Sequence, residues 1–590
     1  PSRTIFERVL AKKRGERVPR KYKKLLKQFA LTLDFLSPKA YRYVRRVFLS
    51  ALPHPKTICN WYKNVQADPG FTKECLDTLK ALVEKENLQN KKVVCQLVFD
   101  EIHIFSGVQK IGKKTYGYST INTAAKSLNT QATQILLFMV VDVNGKWKLP
   151  IGYFPINSLT ADLKSNLIVK AVSHVQETGT KLIGVTFDGA AVNFSAMNNL
   201  GACFDMESLI STIRINPDNK ALPESMLYVF PDPCHMIKLI RNVFGEKEPF
   251  YDMDGNQINF KYIEELLKIH EESGLHLGNK LKRIHVYFKK KKMNVRIAVQ
   301  LLSKSVADAI DYCRDVLQFP EFVGSEATSK FIRMMNDIFD VLNSRNRSDF
   351  GWKGAIWAEN FSNVEEFCAI AKTYISNLHF RSKIQRKNVN CQTSGSVPLT
   401  NFKKKPLICS ASKIGFLGLY ICLENLPKIF SDYKNDLNPI GLKTYNLNQD
   451  SVELFFNSVR SRLGCNTSPT VLQFRAAYRK LITYAQIKED SSGNCIAGLE
   501  NVKILQVNPE RCIQAINNVT VGHTEKILMP KFKDEMEFEE IIESQRAISI
   551  FSEEELTEHS TSQSVSEELP VLSEVQKSVI CYIAGCIISI

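Results

Sequence analysis

Apolar residues recur at helical intervals in the first quarter of the chain. Leu25, Leu26, Phe29, Leu33 and Leu36 predict one helix, Ser37-Pro38 opens a second over 39–49, and Leu52-Pro53-His54-Pro55 breaks the pattern before a third that Thr57 caps. Two short helices around a tight break, the second carrying Lys56, Asn60 and Tyr62, fit a helix-turn-helix; a small bundle that only packs or dimerises fits the same pattern. Residues 1–24 are basic and poorly periodic. Their clusters Lys12-Lys13-Arg14 and Arg20-Lys21-Tyr22-Lys23-Lys24 read as a nuclear localisation signal, a phosphate-binding arm or a solvated leader.

From Lys91 the periodicity changes. Val93 to Asp100 is a continuous apolar run of the buried-strand type, 131–143 and 147–154 are two more strands, and Asn144-Gly145 supplies the hairpin turn between them. A helix over 159–177 and a fourth strand over 181–187 follow. Asp188-Gly189 ends that strand, a helix runs on through Met197, 226–230 is a fifth strand and 233–243 a helix. Three antiparallel strands followed by alternating strand and helix predict an α/β RNase H-like fold, a mixed five-stranded sheet with helices on both faces.

After Asn242 the pattern is helical for about two hundred residues, over 260–272, 292–316, 329–343 and 364–378, with a loose polar loop at 385–412. Strong helices resume at 449–463 and 469–486, and 531–575 is Ser/Glu-rich and reads as a disordered linker. The expected organisation is a basic leader (1–24), a helical helix-turn-helix region (25–90), the first part of the α/β core (91–244), a large mostly α-helical insertion (245–440), the last core helices (441–490) and a C-terminal region (491–590).

Charge sharpens this picture. The chain carries +17 overall, yet residues 534–575 hold thirteen acids against one arginine, a net of −12, which leaves +29 on the remainder. A clustered surplus of that size points to a polyanion, usually nucleic acid, over a merely solubilising surface. Fifteen cysteines run from Cys59 to Cys586 without a CxxC pair, so they read as reduced thiols of an intracellular protein, and no apolar run is long enough for a membrane helix or a signal peptide. The start at Pro1 and the stop inside the apolar run 578–590 read as a fragment at both ends.

Phosphoryl transfer at DNA uses two divalent ions about 4 Å apart, and Mg²⁺ asks for carboxylate oxygens converging from several elements. Asp100 and Asp188 end the first and fourth strands and open on the same sheet edge, where ligands of such sheets bind. A strand-end Asp is also a common turn former. In Asn448 to Phe456, Asp450 and Glu453 lie three apart on one helical face, which offers the third acid.

Asn448-Gln449-Asp450-Ser451-Val452-Glu453-Leu454-Phe455-Phe456, followed by Ser458-Val459-Arg460, Gly464, Asn466, Pro469-Thr470 and Gln473-Phe474, resembles the last catalytic segment of the P element transposases, especially their vertebrate THAP-domain relatives. Val98-Phe99-Asp100-Glu101 and Thr186-Phe187-Asp188-Gly189-Ala190 resemble the first two. Ser451-Val452 departs from the more usual His-Leu. The resemblance implies a DDE transposase of the nucleus that cleaves and joins duplex DNA at transposon ends, works as a homo-oligomer, binds no membrane, and holds two Mg²⁺ ions, replaceable by Mn²⁺, on Asp100, Asp188 and Glu453. Asp100 would bridge both ions. The family's THAP zinc domain has no counterpart motif here.

The interval from Asp188 to Glu453 exceeds that from Asp100 to Asp188 threefold, so a domain is inserted before the last helix. The resemblance implies that it binds GTP as an assembly cofactor; no GxxxxGK[ST] motif is present. Family pattern points to Asp340 and Asn343 for the guanine edge, Asp450 facing the nucleotide and Lys280 for the phosphates, while an exposed helix pair is the plain alternative for Asp340 and Asn343. Pro231-Asp232-Pro233-Cys234-His235 resembles the family's DxxH element. Expected DNA contacts are His235, Lys238, Arg241, Arg460, Arg462, Lys56 and Asn60, with Lys289 to Lys292 and Lys403 to Lys405 in reserve. Two other readings stay open: a domesticated DNA-binding or regulatory protein that kept the fold without transposition, and a nuclease of the same fold.

Overall fold

The computed structural model describes residues 2–483 apart from 20, 64, 122–129, 217–222, 248, 275–276, 348, 384–401, 438–440 and 464–465, and beyond them only Lys503–Ile504. The acidic linker expected at 534–575 lies outside the described residues.

The first helices are α1 (Ser2–Lys13), α2 (Lys24–Leu36), α3 (Pro38–Val47) and α4 (Pro55–Lys63). Part of the poorly periodic basic leader is thus helix α1. It is held because Arg8 donates to the Ala51 carbonyl and Lys12 to those of Leu49 and Ser50, two residues whose positive φ leaves their carbonyls turned outward from a tight break. Ser37 caps α3 by accepting from the Ala40 amide. Ile5, Leu26, Ala30, Tyr41, Leu52, Ile58 and Tyr62 form a core of their own.

The main sheet is wider than the five strands expected. Seven strands run in the order β1-β4-β3-β2-β5-β7-β6, where β1 is Gly70–Phe71, β2 Val94–His103, β3 Gln134–Asp142, β4 Trp147–Ile156, β5 Lys181–Phe187, β6 Thr212–Ile215 and β7 Ser225–Pro231; Lys503–Ile504 adds a short parallel pairing to β4. The five strands of the sequence reading form its centre, antiparallel from β4 to β2 and parallel from β2 through β5 to β7, and the short strands β1 and β6 add to its edges. Val94 to Phe99 are all buried, as expected of a central strand covered on both faces. β2 runs three residues past Asp100, because Glu101, Ile102 and His103 go on pairing with β3, so Asp100 lies within the strand and not at its end.

Helices α5 (Lys73–Asn87), α6 (Ala161–Gln176), α7 (Ala191–Asn199) and α8 (Pro233–Glu246) complete the first part. The insertion follows α8. The long helix expected at 292–316 is divided into Val295–Leu301 and Lys304–Asp315, and the expected loop at 385–412 is in part strand: Phe402–Pro406 pairs with His379–Lys383 in a four-stranded sheet that the helical reading of this region did not include. Two insertion helices matter most here, α9 (Glu326–Leu342) and α10 (Ile414–Tyr433). α10, unread in the sequence because it is apolar nearly all round, lies against β7 and α8. Gly415 and Gly418 permit that approach, since a Cβ at either would collide with Met236.

The chain then returns to the sheet through α11 (Asp450–Arg462) and α12 (Val471–Thr483). One continuous apolar core joins sheet, insertion and these helices. Among the described residues no helix is long and apolar enough to cross a membrane.

Candidate active site

Residues 444–450 bring the last helix to the sheet. Thr444 accepts from the Ser344 amide and donates to the Val341 carbonyl, Asn446 donates to the Val143 carbonyl, and Thr186 of β5 donates to the Leu447 carbonyl at 2.6 Å. Gln449 then bridges two elements: its side chain donates to the Phe99 carbonyl of β2 at 2.8 Å, and its backbone amide donates to Asp232 at 3.0 Å. These bonds deliver the first turn of α11, with Glu453, beside the strand that carries Asp100.

Asp232 is fully buried. Pro233 in the first turn and the Asp232 carboxylate, which accepts from the His235 amide at 2.8 Å, start α8. The same carboxylate holds the His235 ring at 2.6 Å. Burial works against charge on that ring, but the bond to Asp232 outweighs it and raises the pKa to about 9, so His235 is a cation at neutral pH. Its other ring nitrogen lies 3.9 Å from Glu453.

Asp100, Asp188 and Glu453 share one electrostatic neighbourhood. Burial pushes the Asp100 carboxyl well above the usual range; the positive His235 opposes this, and the negative Asp188, Glu101 and Glu453 add to it. Asp188 spends one oxygen on the Ala190 amide (3.0 Å) and the Asn193 side chain (2.6 Å). Among the described residues, no three His, Cys, Asp or Glu side chains are gathered closely enough to be ligands of one metal ion as they stand. Three cations surround the acids: His235, Lys238 and Arg460. Burial lowers the pKa of Lys238 against the pull of Glu453, Asp232, Asp188 and Asp100, and that of Arg460 against Glu453 and Asp100.

Several expected DNA contacts are placed otherwise. Arg241 is fully buried, donates to Asn242 and to the Lys292 carbonyl, and lies 4.1 Å over the Phe288 ring, so it braces the insertion and has no surface to offer a phosphate. Lys238 is 2% exposed and faces the acids. Arg462 donates to the Phe35 carbonyl and stacks 3.5 Å over that ring, tying α2 to α11. Lys56 and Asn60 are exposed on α4. A second stripe went unread: Lys39, Arg42, Tyr43 and Arg46 are exposed on successive turns of α3, and the three cations make no ion pair among the described residues, whereas Arg45 turns inward to the carbonyls of Leu52 and Pro53.

The nucleotide candidates are less gathered. Asp340, on α9, accepts from Asn336 at 3.0 Å, and burial raises its pKa to about 6. Asn343 follows α9 and accepts from Asn448 at 3.0 Å. Asp450 is 2% exposed, 3.5 Å from Arg345; burial, then Glu453 and Asp232, lift its pKa to about 7 against Arg345. Lys280 is exposed in the segment between two insertion helices. Sequence reading missed Lys164, Asn193, Gln449 and Arg345; the pattern Gln449-Asp450 next to Glu453 was visible, but nothing local marks a lysine inside an apolar helix as a site residue.

Four family models match the chain in order: "Transposable element P transposase-like, HTH domain" over 2–61, "TNP-like, RNase H N-terminal domain" over 67–201, "TNP-like, GTP-binding insertion domain" over 234–355 and "TNP-like, RNase H C-terminal domain" over 445–479. The chain is 26% identical to the human DNA transposase THAP9 over 577 residues, 95% of this chain and 57% of that protein, and 24% identical to the Drosophila melanogaster transposable element P transposase over 470 residues, 79% of this chain and 55% of that protein. It thus spans a little over half the length of these relatives. Its fold is similar to a chain of the Drosophila P element transposase strand transfer complex, with TM-score 0.61 and 21% identity, covering 80% of this chain and 94% of that one.

Proposed function

We propose, for a chain homologous to the P element-type DNA transposases, that it cleaves DNA at transposon ends and joins it to a target by a DDE reaction on Asp100, Asp188 and Glu453. The observation that carries this is the convergence of these three acids, one from β2, one beyond β5 and one from α11, on a single electrostatic neighbourhood. The donor set fits divalent ions: three carboxylates, one of them desolvated and destabilised by like charge, are what Mg²⁺ or Mn²⁺ would relieve. Two ions there would activate the attacking oxygen and stabilise the leaving one.

The chain's own groups prepare the site. Gln449 and Asp232 fix the start of α11 and so the position of Glu453. His235, held positive by Asp232, and Arg460 supply positive charge suited to the scissile phosphate. Duplex DNA would reach the site along α3 and α4 of the N-terminal unit, with Lys39, Arg42, Arg46, Lys56 and Asn60 exposed for it. The insertion would bind GTP through Asp340, Asn343 and Asp450, with Lys280 at the phosphates; its match to a GTP-binding insertion model supports the nucleotide. A homo-oligomer acting in the nucleus is part of the same proposal.

Strand-transfer assays on duplexes with terminal inverted repeats, in Mg²⁺ and GTP, test the reading. Cleavage and joining by the wild type and neither by Asp188→Ala are expected. Equal activity of the two proteins overturns it, and DNA binding without cleavage by either favours a domesticated DNA-binding protein.

A further inference from the structure

Lys164 and Asn193 belong to no feature of the reaction described so far, yet they are 2% and 1% exposed and stand within a hydrogen-bonded chain that ends on a catalytic acid. The Lys164 ammonium, on α6, donates to Glu101 of β2 at 2.6 Å and to the Asn193 side-chain oxygen at 2.6 Å; the Asn193 amide nitrogen, on α7, donates to Asp188 at 2.6 Å. Four elements, β2, α6, α7 and the turn after β5, are thus linked through side chains alone.

The donor and acceptor inventory gives this chain a direction. A lysine ammonium only donates, so it fixes which end of the Asn193 amide faces it: the oxygen. The amide NH₂ must then face Asp188, whose Oδ1 accepts from it. Glu101 supplies the negative charge that makes a buried ammonium tolerable. A lysine present only for stability would need Glu101 and nothing further; here its second bond orients Asn193, whose one function in the chain is to grip Asp188. The gripped atom is Oδ1, which also accepts from the Ala190 amide, and no hydrogen bond engages Oδ2 among the described residues.

We propose that Lys164 and Asn193 are positioning residues for Asp188: by fixing the orientation of the Asn193 amide, Lys164 commits one carboxylate oxygen of Asp188 to the protein and reserves the other for a divalent cation. The inference rests on the proposed metal-binding role of Asp188. Outer partners that orient ligating carboxylates are typically worth about 10–100-fold in metal affinity, which sets the scale of the effect.

The test is Mn²⁺ binding to the full chain, followed by electron paramagnetic resonance, with a thermal midpoint recorded for each protein. Asn193→Leu keeps the branched four-atom shape of the side chain and removes the donor. The double variant Glu101→Gln with Lys164→Met removes both charges of the pair together, so no buried charge is stranded, and it abolishes the orientation of Asn193. Both are expected to need about 10–100-fold more Mn²⁺ for half-saturation while melting within a few degrees of the wild type. Wild-type Mn²⁺ affinity in either variant, with binding lost in Asp188→Ala, overturns the positioning role and leaves the metal reading standing. Binding by Asp188→Ala equal to that of the wild type overturns both.

Discussion

The sheet edge and the insertion hold their functional candidates in opposite ways. At the sheet edge every element that carries an acid is bolted to another: Gln449 ties α11 to β2, Asp232 ties α11 to α8, and Asn193 with Lys164 ties the turn after β5 to β2 and α6. In the insertion, the Asp340 carboxylate is held among the described residues by Asn336 alone, one helical turn away, and Lys280 is exposed on a different segment. Between the two lies residue Asn448, which accepts from the Asp450 amide and donates to Asn343, and Thr444, which bonds the end of α9. The contrast teaches that the elements carrying the acids are tied to one another before any ligand arrives, so that a cation has only to draw the carboxylates together, whereas the insertion residues would be gathered by the nucleotide itself, whose effect would then reach α11 through 444–450.

Four changes break or sharpen this contrast. Glu453→Gln removes an acid from the prearranged side without changing its size; a fall in strand transfer on the order of a thousandfold or more is expected, following the several kcal/mol a metal-held charge contributes to the transition state, with an unchanged melting temperature. Asp232→Ala strips the partner from a buried His235 cation and from the Gln449 amide, and chemical denaturation should report a loss of about 3–5 kcal/mol, the scale for breaking a buried ion pair. Asp340→Ala acts on the loosely held side: calorimetry should show GTP bound about 10–100-fold more weakly, the scale of a hydrogen bond to a charged group, with stability within about 0.5 kcal/mol of the wild type. Lys39→Ala, Arg42→Ala and Arg46→Ala together lie outside both regions; fluorescence polarisation on duplex DNA should show the slope of log affinity against log salt shallower by about 0.9 for each phosphate contact removed, with cleavage chemistry intact once DNA is saturating.

The acids were legible because their positions are a consequence of strands. An unbroken apolar run such as Val93 to Phe99 announces a central strand, and two such runs on neighbouring parallel strands set Asp100 and Asp188 side by side, although β2 runs on past Asp100 and only Asp188 follows the end of its strand. Glu453 was legible through its motif, and the bonds of Gln449 show why that motif must include its neighbours. The edge strands β1 and β6 were not legible: at two and four residues they are too short for alternation to register, and they exist because a longer strand offers them an unpaired edge.

Charge alone misled the reading of Lys238, Arg241 and Arg462. A basic residue on a helix reads as a phosphate contact, and only packing reveals that Arg241 lies under Phe288 and that Arg462 spends its donor on Phe35. Lys164 was hidden for the complementary reason. Its partners Glu101 and Asn193 stand 63 and 29 residues away, so no local spacing could have joined them.

The central claim, that Asp100, Asp188 and Glu453 form one cation-binding site, is tested most directly by anomalous diffraction from crystals of the protein with DNA and Mn²⁺. Two manganese peaks about 4 Å apart, bounded by these three carboxylates and sharing Asp100, are the expected result. Manganese bound elsewhere, with none in contact with Asp100 or Asp188, would contradict the account.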